Sequence, residues 1–344
     1  GRRSLMRAVI LQEPGRIVHA EVEDPKPGPG DLVVRVRAAT TCGTDLKAFL
    51  RGHPAIPMPG VFGHEYSGVV VDAGVGAPFQ PGQEVMGVHS APCRQCRWCA
   101  DGQENLCESL MSTKVLGSFA ELLLVPARIV RLNVFPKPPS LPFAVASLLE
   151  PLSCVAQGLQ ELAKCGFPGK DPASRSVAVV GPGAIGLMFV AVLRLLGVGK
   201  VVLAGRNAAR LSVGEALGAE TVHLEDLKPL DGVGFDAVIE CVGLPEVWER
   251  SLQWVRRGGW LMLFGGCPTG STACFDTKRL HYDQITVLSP FHFGTSAVAT
   301  AREWLIGGRL GLERLLSGAA RLEEAPAIFE RLRQGVGIKY VFQP

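Results

Sequence analysis

Between a short apolar run and an apolar helix-length stretch, the chain reads Gly181-Pro182-Gly183-Ala184-Ile185-Gly186, and that placement constrains the fold more than any other feature. Val177-Ala178-Val179-Val180 before it has the uninterrupted β-branched character of a buried strand, and residues 185–196 after it are apolar at helical spacing. A strand, a glycine turn and a helix open a βαβ unit. Glycine at these positions allows a tight turn and a close approach of backbone to a pyrophosphate. The helix N-terminus then offers unpaired N–H groups to the phosphates. G-x-G-x-x-G alone reads as a turn; in this context it predicts a dinucleotide site.

The alternation extends in both directions. A helix is expected over 144–164, and strands at Lys200-Val201-Val202-Leu203, Ala237-Val238-Ile239-Glu240 and Trp260-Leu261-Met262-Leu263-Phe264. Strands separated by helix-length segments predict an α/β fold of the Rossmann type, a doubly wound parallel sheet. The first 130 or so residues read differently. Short runs such as Leu32-Val33-Val34-Arg35-Val36 and Gly68-Val69-Val70-Val71, parted by turn clusters like Pro25-Lys26-Pro27-Gly28-Pro29-Gly30, predict a β-rich domain. Ile338-Lys339-Tyr340-Val341-Phe342 reads as a strand returning to it. A chain of 344 residues suits two domains, expected at 1–147 with 290–344, and at 148–289. Residues 1–5 precede Met6-Arg7-Ala8-Val9-Ile10, which reads like a native start and first strand, and are taken as an added remnant.

Cys93, Cys96, Cys99 and Cys107 form C-x2-C-x2-C-x7-C, a spacing that gathers four thiolates around one tetrahedral zinc. Four sulfur ligands leave no open position, so such a site is structural and the chemistry lies elsewhere. Cys154, Cys165, Cys241, Cys267 and Cys274 sit in apolar or Gly-rich surroundings and read as small buried hydrophobes. At 47% hydrophobic and 19% charged residues the composition is that of a packed globule, and a net charge of +3 without a basic cluster argues against nucleic acid. No apolar run reaches the roughly 20 residues that span a bilayer, and no signal-peptide core is seen. The expectation is a soluble cytoplasmic protein with no membrane partner.

The nucleotide is read from the end of the second strand of the parallel sheet. An NAD site usually carries an acid there to hold the ribose 2′-hydroxyl; this chain has Gly205-Arg206-Asn207. Gly205 leaves room and Arg206 offers a guanidinium for a 2′-phosphate, which favours NADP. If Arg206 only stacks on adenine, NAD stays open. Cys241-Val242-Gly243, after the next strand, complete the expected cofactor-binding set.

Cys42-Gly43-Thr44-Asp45 and Gly63-His64-Glu65-Tyr66-Ser67-Gly68 would each be unremarkable alone, a core cysteine and a solvated histidine. With a four-cysteine lobe and a dinucleotide fold they form an ordered set. The stretch ending at Ala77 fits GHE-x2-G-x5-G-x2-A in full, and Gly117-Ser118-Phe119-Ala120-Glu121 and Leu149-Glu150-Pro151-Leu152 follow in order. Over essentially its whole length the chain resembles the zinc-containing medium-chain dehydrogenase/reductase family, in its sorbitol, polyol and threonine dehydrogenase branch.

The resemblance implies a GroES-like catalytic domain beside the Rossmann domain and a second, catalytic zinc on Cys42, His64 and either Glu150 or Glu65. It thus implies two zinc ions per chain. An open zinc position acidifies an alcohol so that hydride passes from its carbon to nicotinamide. Without the resemblance, Glu150 reads as an acid favoured by a helix dipole. Thr44 is implied as the first proton-relay hydroxyl; where many relatives continue with a histidine, this chain has Lys47, which either relays protons, binds an anion or is simply exposed. Asp45 could orient the metal site. Phe49, Leu50, Phe119, Phe291 and His292 lie on segments that in the family approach the substrate, although Phe119 and Phe291 are equally good core residues. The implied activity is oxidation of a secondary alcohol, a polyol or sugar alcohol, or reduction of the ketone, in a homodimer or homotetramer; the apolar segment at 285–289 is a candidate interface strand. An amino alcohol such as threonine is the alternative substrate. Two readings from other classes are a zinc-ribbon binding module and a non-catalytic dinucleotide-binding protein of this fold; Cys42, His64 and Glu150 together argue against the second.

Overall fold

The computed structural model of the chain describes residues 4–344. Residues 1–3, part of the expected remnant, lie outside the described residues. The chain divides into two compact units, each described by itself. One holds residues up to Ser153 with Phe293–Gly307 and Glu313–Pro344; the other holds Cys154–His292 and Gly308–Leu312.

The second unit is a six-stranded parallel sheet. Its strands lie in the order Glu220–His223, Lys200–Gly205, Ser176–Val180, Phe235–Glu240, Val255–Leu263 and Thr286–Leu288. The order reverses beside Ser176–Val180, and in open α/β sheets ligands bind at the carboxyl ends of strands at such a reversal. All five residues of Ser176–Val180 and all six of Phe235–Glu240 are buried, which accounts for their unbroken apolar runs: a parallel sheet is covered on both faces. Helices Ala184–Leu195, Ala208–Ala216 and Pro245–Ser251 supply crossovers.

The first unit is β-rich, with a three-stranded and a seven-stranded sheet. Its longest strand in the larger sheet, Leu32–Thr40, pairs antiparallel with Tyr66–Ala73, Leu122–Val125 and Lys339–Phe342. The expected return of the last strand is therefore present, with Val341 opposite Thr40. The core centres on an aromatic cluster: Phe119 lies 5.1 Å from Phe62 and 4.9 Å from Phe342, ring to ring, and Phe49 lies 5.6 Å from Phe329. Phe49 and Phe119 are thus core residues here, whereas Leu50 and Phe291 are exposed.

Two local expectations are corrected. The single helix expected over 144–164 is two, Phe143–Ala146 and Leu149–Lys164, separated by a short turn at Ser147. Cys165 and Cys274 are exposed rather than buried. The first lies just past a helix end and the second in a coil, so apolar neighbours in sequence did not become neighbours in space. No helix among the described residues is long and apolar enough to cross a membrane.

Candidate metal and cofactor sites

The four-cysteine lobe folds as its spacing requires. The sulfurs of Cys93, Cys96, Cys99 and Cys107 lie within 4.8 Å of one another, and none is in a disulfide. Cys96 and Cys99 Sγ are 3.6 Å apart. The edge of a tetrahedron with zinc–sulfur bonds of about 2.3 Å is about 3.8 Å, so the donors fit zinc. Backbone N–H groups of Gln95 and Cys96 donate to Cys93 Sγ, at 3.4 and 3.3 Å, and pull that thiol down to about 6. Glu104, inside the lobe, accepts from Thr295 N at 2.9 Å, where it caps the helix Thr295–Ile306. The lobe therefore braces a distant helix of its own unit.

A second donor set forms where three segments of the β-rich unit meet. Cys42 ends the loop after Leu32–Thr40 and caps the helix Gly43–Arg51, and its backbone N–H donates to Asp45 Oδ2 at 2.9 Å. His64 is placed by Gly63, whose φ of 91° is open to glycine and whose added Cβ would fall 2.6 Å from Ser118 Oγ and 2.7 Å from the Phe119 ring. The glycine before the histidine is thus a requirement of close packing. His64 Nδ1 lies 3.3 Å from Asp45 Oδ1, which turns Nε2 toward the other donors. The ligand atoms of Cys42, His64 and Glu65 all lie within 4.8 Å of one another.

Glu150 stands in the first turn of Leu149–Lys164 but does not face water: Oε2 is 4.0 Å from His64 Nε2, and Oε1 is 3.4 Å from His89 Nδ1. A buried carboxyl between two imidazoles is more than a helix-end charge. Burial pushes it up to about 7, opposed by His64 and reinforced by Glu65. Glu65 has other commitments. Lys339 Nζ lies 2.9 Å from its Oε1 and 2.8 Å from its Oε2, and Thr40 Oγ1 donates to Oε2. Lys339 also donates to Thr41 O at 2.5 Å. Asp45, Glu65, Glu150 and Lys339 are all at most 4% exposed. The sulfur of Cys42, the imidazole of His64 and the carboxyls of Glu65 and Glu150 gather S, N and O donors at one place, a chemistry that fits a divalent cation such as zinc.

Lys339, Thr40 and His89 were not singled out from the sequence. The signal for Lys339 was there: a lysine in Lys339-Tyr340-Val341-Phe342, a strand buried at all four positions, needs a buried partner. Thr44 and Lys47 lie on the helix that Cys42 caps, both half-buried. His53, near the end of that helix, is shifted down by burial and then by the charges of Lys47, Arg51 and His64.

In the parallel-sheet unit the glycine turn is formed as expected. Gly181 has φ 106°, Gly183 caps the helix Ala184–Leu195, which begins with Ala184 and Ile185, and a Cβ on Gly186 would lie 1.9 Å from Gly181 O. A Cβ on Gly181 would lie 2.9 Å from Val242 Cγ2, so the Cys241-Val242-Gly243 turn packs on the glycine loop. Gly205 serves a different purpose from the one expected: a Cβ there would lie 2.4 Å from Pro182 Cδ, so the vacated space is filled by Pro182. Asn207 caps the helix Ala208–Ala216 by accepting from Arg210 N at 3.2 Å. Arg206 is exposed and paired with Glu225.

Glu240 ends its strand fully buried, and its Oε1 accepts from Val242 N at 2.7 Å and Gly243 N at 2.9 Å. Burial pushes this carboxyl from 4.5 up to about 7, against those hydrogen bonds. Between these values the folded chain holds a proton that the unfolded chain has released, so the fold loses stability as pH rises through that window. Without cofactor, the stability of Glu240→Gln relative to the native chain should therefore rise by about 3 kcal/mol from about pH 4 to about pH 8. Urea unfolding across that range checks it, and a flat difference excludes the titration.

Comparison with known proteins now adds the family. Residues 28–138 match the model of the alcohol dehydrogenase GroES-like domain, and residues 184–306 match that of zinc-binding dehydrogenases. L-threonine 3-dehydrogenase of Deinococcus radiodurans is 35% identical over 82% of this chain and 82% of its own length. D-altritol 5-dehydrogenase of Agrobacterium fabrum is 34% identical over 76% and 77%. A protein from Sinorhizobium meliloti, crystallised bound to NADP, superposes with a TM-score of 0.88 at 30% identity, covering 99% of this chain and all of that one. The fold and donor chemistry define an oxidoreductase of the alcohol dehydrogenase type. The chain belongs to the zinc-containing medium-chain alcohol dehydrogenase family.

Proposed function

We propose that the protein oxidises a secondary alcohol bearing a vicinal polar group, a polyol or sugar alcohol, with NADP as the favoured acceptor. The observation that carries this is the donor set Cys42, His64 and Glu65, whose ligand atoms lie within 4.8 Å of one another, with Glu150 Oε2 4.0 Å from His64 Nε2 and Asp45 behind His64. Cys42, His64 and Glu150 would hold a catalytic zinc, with Glu65 kept off it by Lys339, and the four cysteines of the lobe would hold a second, structural zinc. When bound, the catalytic zinc supplies a Lewis acid for the substrate hydroxyl and NADP a hydride acceptor.

The chain's own residues supply the remainder. Asp45 fixes the ring of His64 and the start of the Cys42 helix at once. Thr44, two residues after Cys42 on the helix Gly43–Arg51, accepts the proton of the substrate hydroxyl while releasing its own toward solvent. Gly181, Gly183 and the helix they open receive the pyrophosphate, and Arg206 receives the 2′-phosphate. A second reading, oxidation of a β-hydroxy amino acid, is favoured by the likeness to L-threonine 3-dehydrogenases.

A panel of polyols, sugar alcohols, threonine and simple secondary alcohols, followed by NADP or NAD reduction at 340 nm on the metal-loaded enzyme, tests both. A polyol or sugar alcohol is expected to give the highest kcat/KM, and NADP to be used better than NAD. Threonine exceeding every polyol by about tenfold or more establishes the second reading. Turnover of none of these by protein of confirmed zinc content excludes both.

A further inference from the structure

Arg206 and Arg250 come from different parts of the parallel-sheet unit and converge on one carboxylate. Arg206 Nη2 lies 2.6 Å from Glu225 Oε1, and Arg250 Nη1 lies 2.6 Å from Glu225 Oε2. Arg206 follows the strand Lys200–Gly205, at the carboxyl edge where the ribose of a dinucleotide is received. Glu225 sits just past the neighbouring strand, whose His223 pairs with Gly205 and accepts from Glu225 N at 3.4 Å. Arg250 is on the helix Pro245–Ser251; its second Nη approaches Leu224 O at 3.4 Å, and its guanidinium lies 5.4 Å from the Trp254 ring centre. That guanidinium is oriented as well as charged.

Two guanidiniums on one carboxylate make a recognisable anion site with the anion built in. A carboxylate bears one negative charge and a phosphate monoester close to two, with three acceptor oxygens instead of two. The arginine pair is therefore better matched in charge to a phosphate than to Glu225. All three side chains reach solvent, with Glu225 49% exposed and Arg206 70% exposed, so the carboxylate can yield its place. We infer that Arg250 is a second receptor for the adenosine 2′-phosphate, and that Glu225 is an internal competitor which holds the two arginines ready and sets the ratio of NADP to NAD affinity. This rests on NADP being the favoured cofactor.

The experiment measures dissociation constants of NADPH and NADH by fluorescence for the metal-loaded wild type and for Arg206→Met, Arg250→Met and Glu225→Gln. Thermal unfolding serves as the check on folding. Arg250→Met is expected to weaken NADPH by about tenfold while NADH moves by less than about twofold, and Glu225→Gln to tighten NADPH by about threefold or more. Arg250→Met that leaves NADPH unchanged, or weakens both cofactors alike, overturns the role of Arg250. Glu225→Gln that weakens NADPH overturns the competition. If Arg206→Met alone discriminates, the NADP reading stands and the two-arginine receptor falls; if the wild type binds NADH more tightly than NADPH, both fall. Adenosine 2′,5′-bisphosphate against 5′-AMP, the same pair without nicotinamide, should repeat the pattern.

Discussion

Replacing Cys42 with alanine is expected to cut turnover by about a thousandfold or more and to lower the zinc content from the two ions per chain proposed for the native protein to one. The size follows from what a Lewis acid contributes to the transition state, several kcal/mol, which converts to about three decades of rate. Cys42 also starts the helix Gly43–Arg51, so a folding defect must be told apart from loss of the ion. Cys42→Ser preserves a short polar cap while replacing the soft sulfur with a weaker hydroxyl donor. Both variants should unfold near the native temperature in chelator, where neither protein carries the catalytic ion. Elemental analysis and kcat on the same preparations decide the matter: an alanine variant with two zinc ions and full turnover excludes Cys42 as a ligand.

The second large effect is expected at Lys339, a residue with no direct part in the reaction. Lys339→Met leaves Glu65 buried without its cation, and breaking a buried ion pair from one side costs about 3–5 kcal/mol. Urea unfolding should show a loss of that size. The double variant Glu65→Gln with Lys339→Met removes both charges and should recover most of it, because the burial of an unpaired acid, and not the missing lysine, carries the cost. A single variant within about 1 kcal/mol of the native protein would falsify the account. The single variant should also bind zinc differently, since Glu65, no longer held by Lys339, lies within 4.8 Å of the Cys42 and His64 donors.

These two sites mark the boundary of what could be read from the chain alone. Gly181 to Gly186 and the four cysteines were legible because their partners lie within a few residues: a turn fixed by glycine, and a lobe closed inside fifteen residues. Cys42, His64 and Glu150 were legible only through their resemblance to a family, since nothing local tells which segments of a β-rich unit will meet. Lys339 and Glu65, 274 residues apart, could not be paired by spacing at all. The same holds for Arg206, Glu225 and Arg250, where strand order brings a distant acid to the place the sequence had left without one. Gly205 shows a subtler limit. Its lack of a side chain was read as room for a ligand, and the room is occupied by Pro182.

The position of Lys339 has a consequence for how the protein is made. A ribosome delivers Cys42, His64, Glu65 and Glu150 long before it delivers the strand Lys339–Phe342, which inserts beside Leu32–Thr40. Until then Glu65 has no cation from Lys339 to offset its burial, so an ionised carboxylate at that place is costly. The arrival of that strand places Lys339 Nζ 2.9 Å from Glu65 Oε1 and neutralises it. Neutralisation of buried Glu65 is thereby expected late in chain synthesis, and a chain cut before residue 339 should lack the ion pair that lets this carboxylate be buried with its charge.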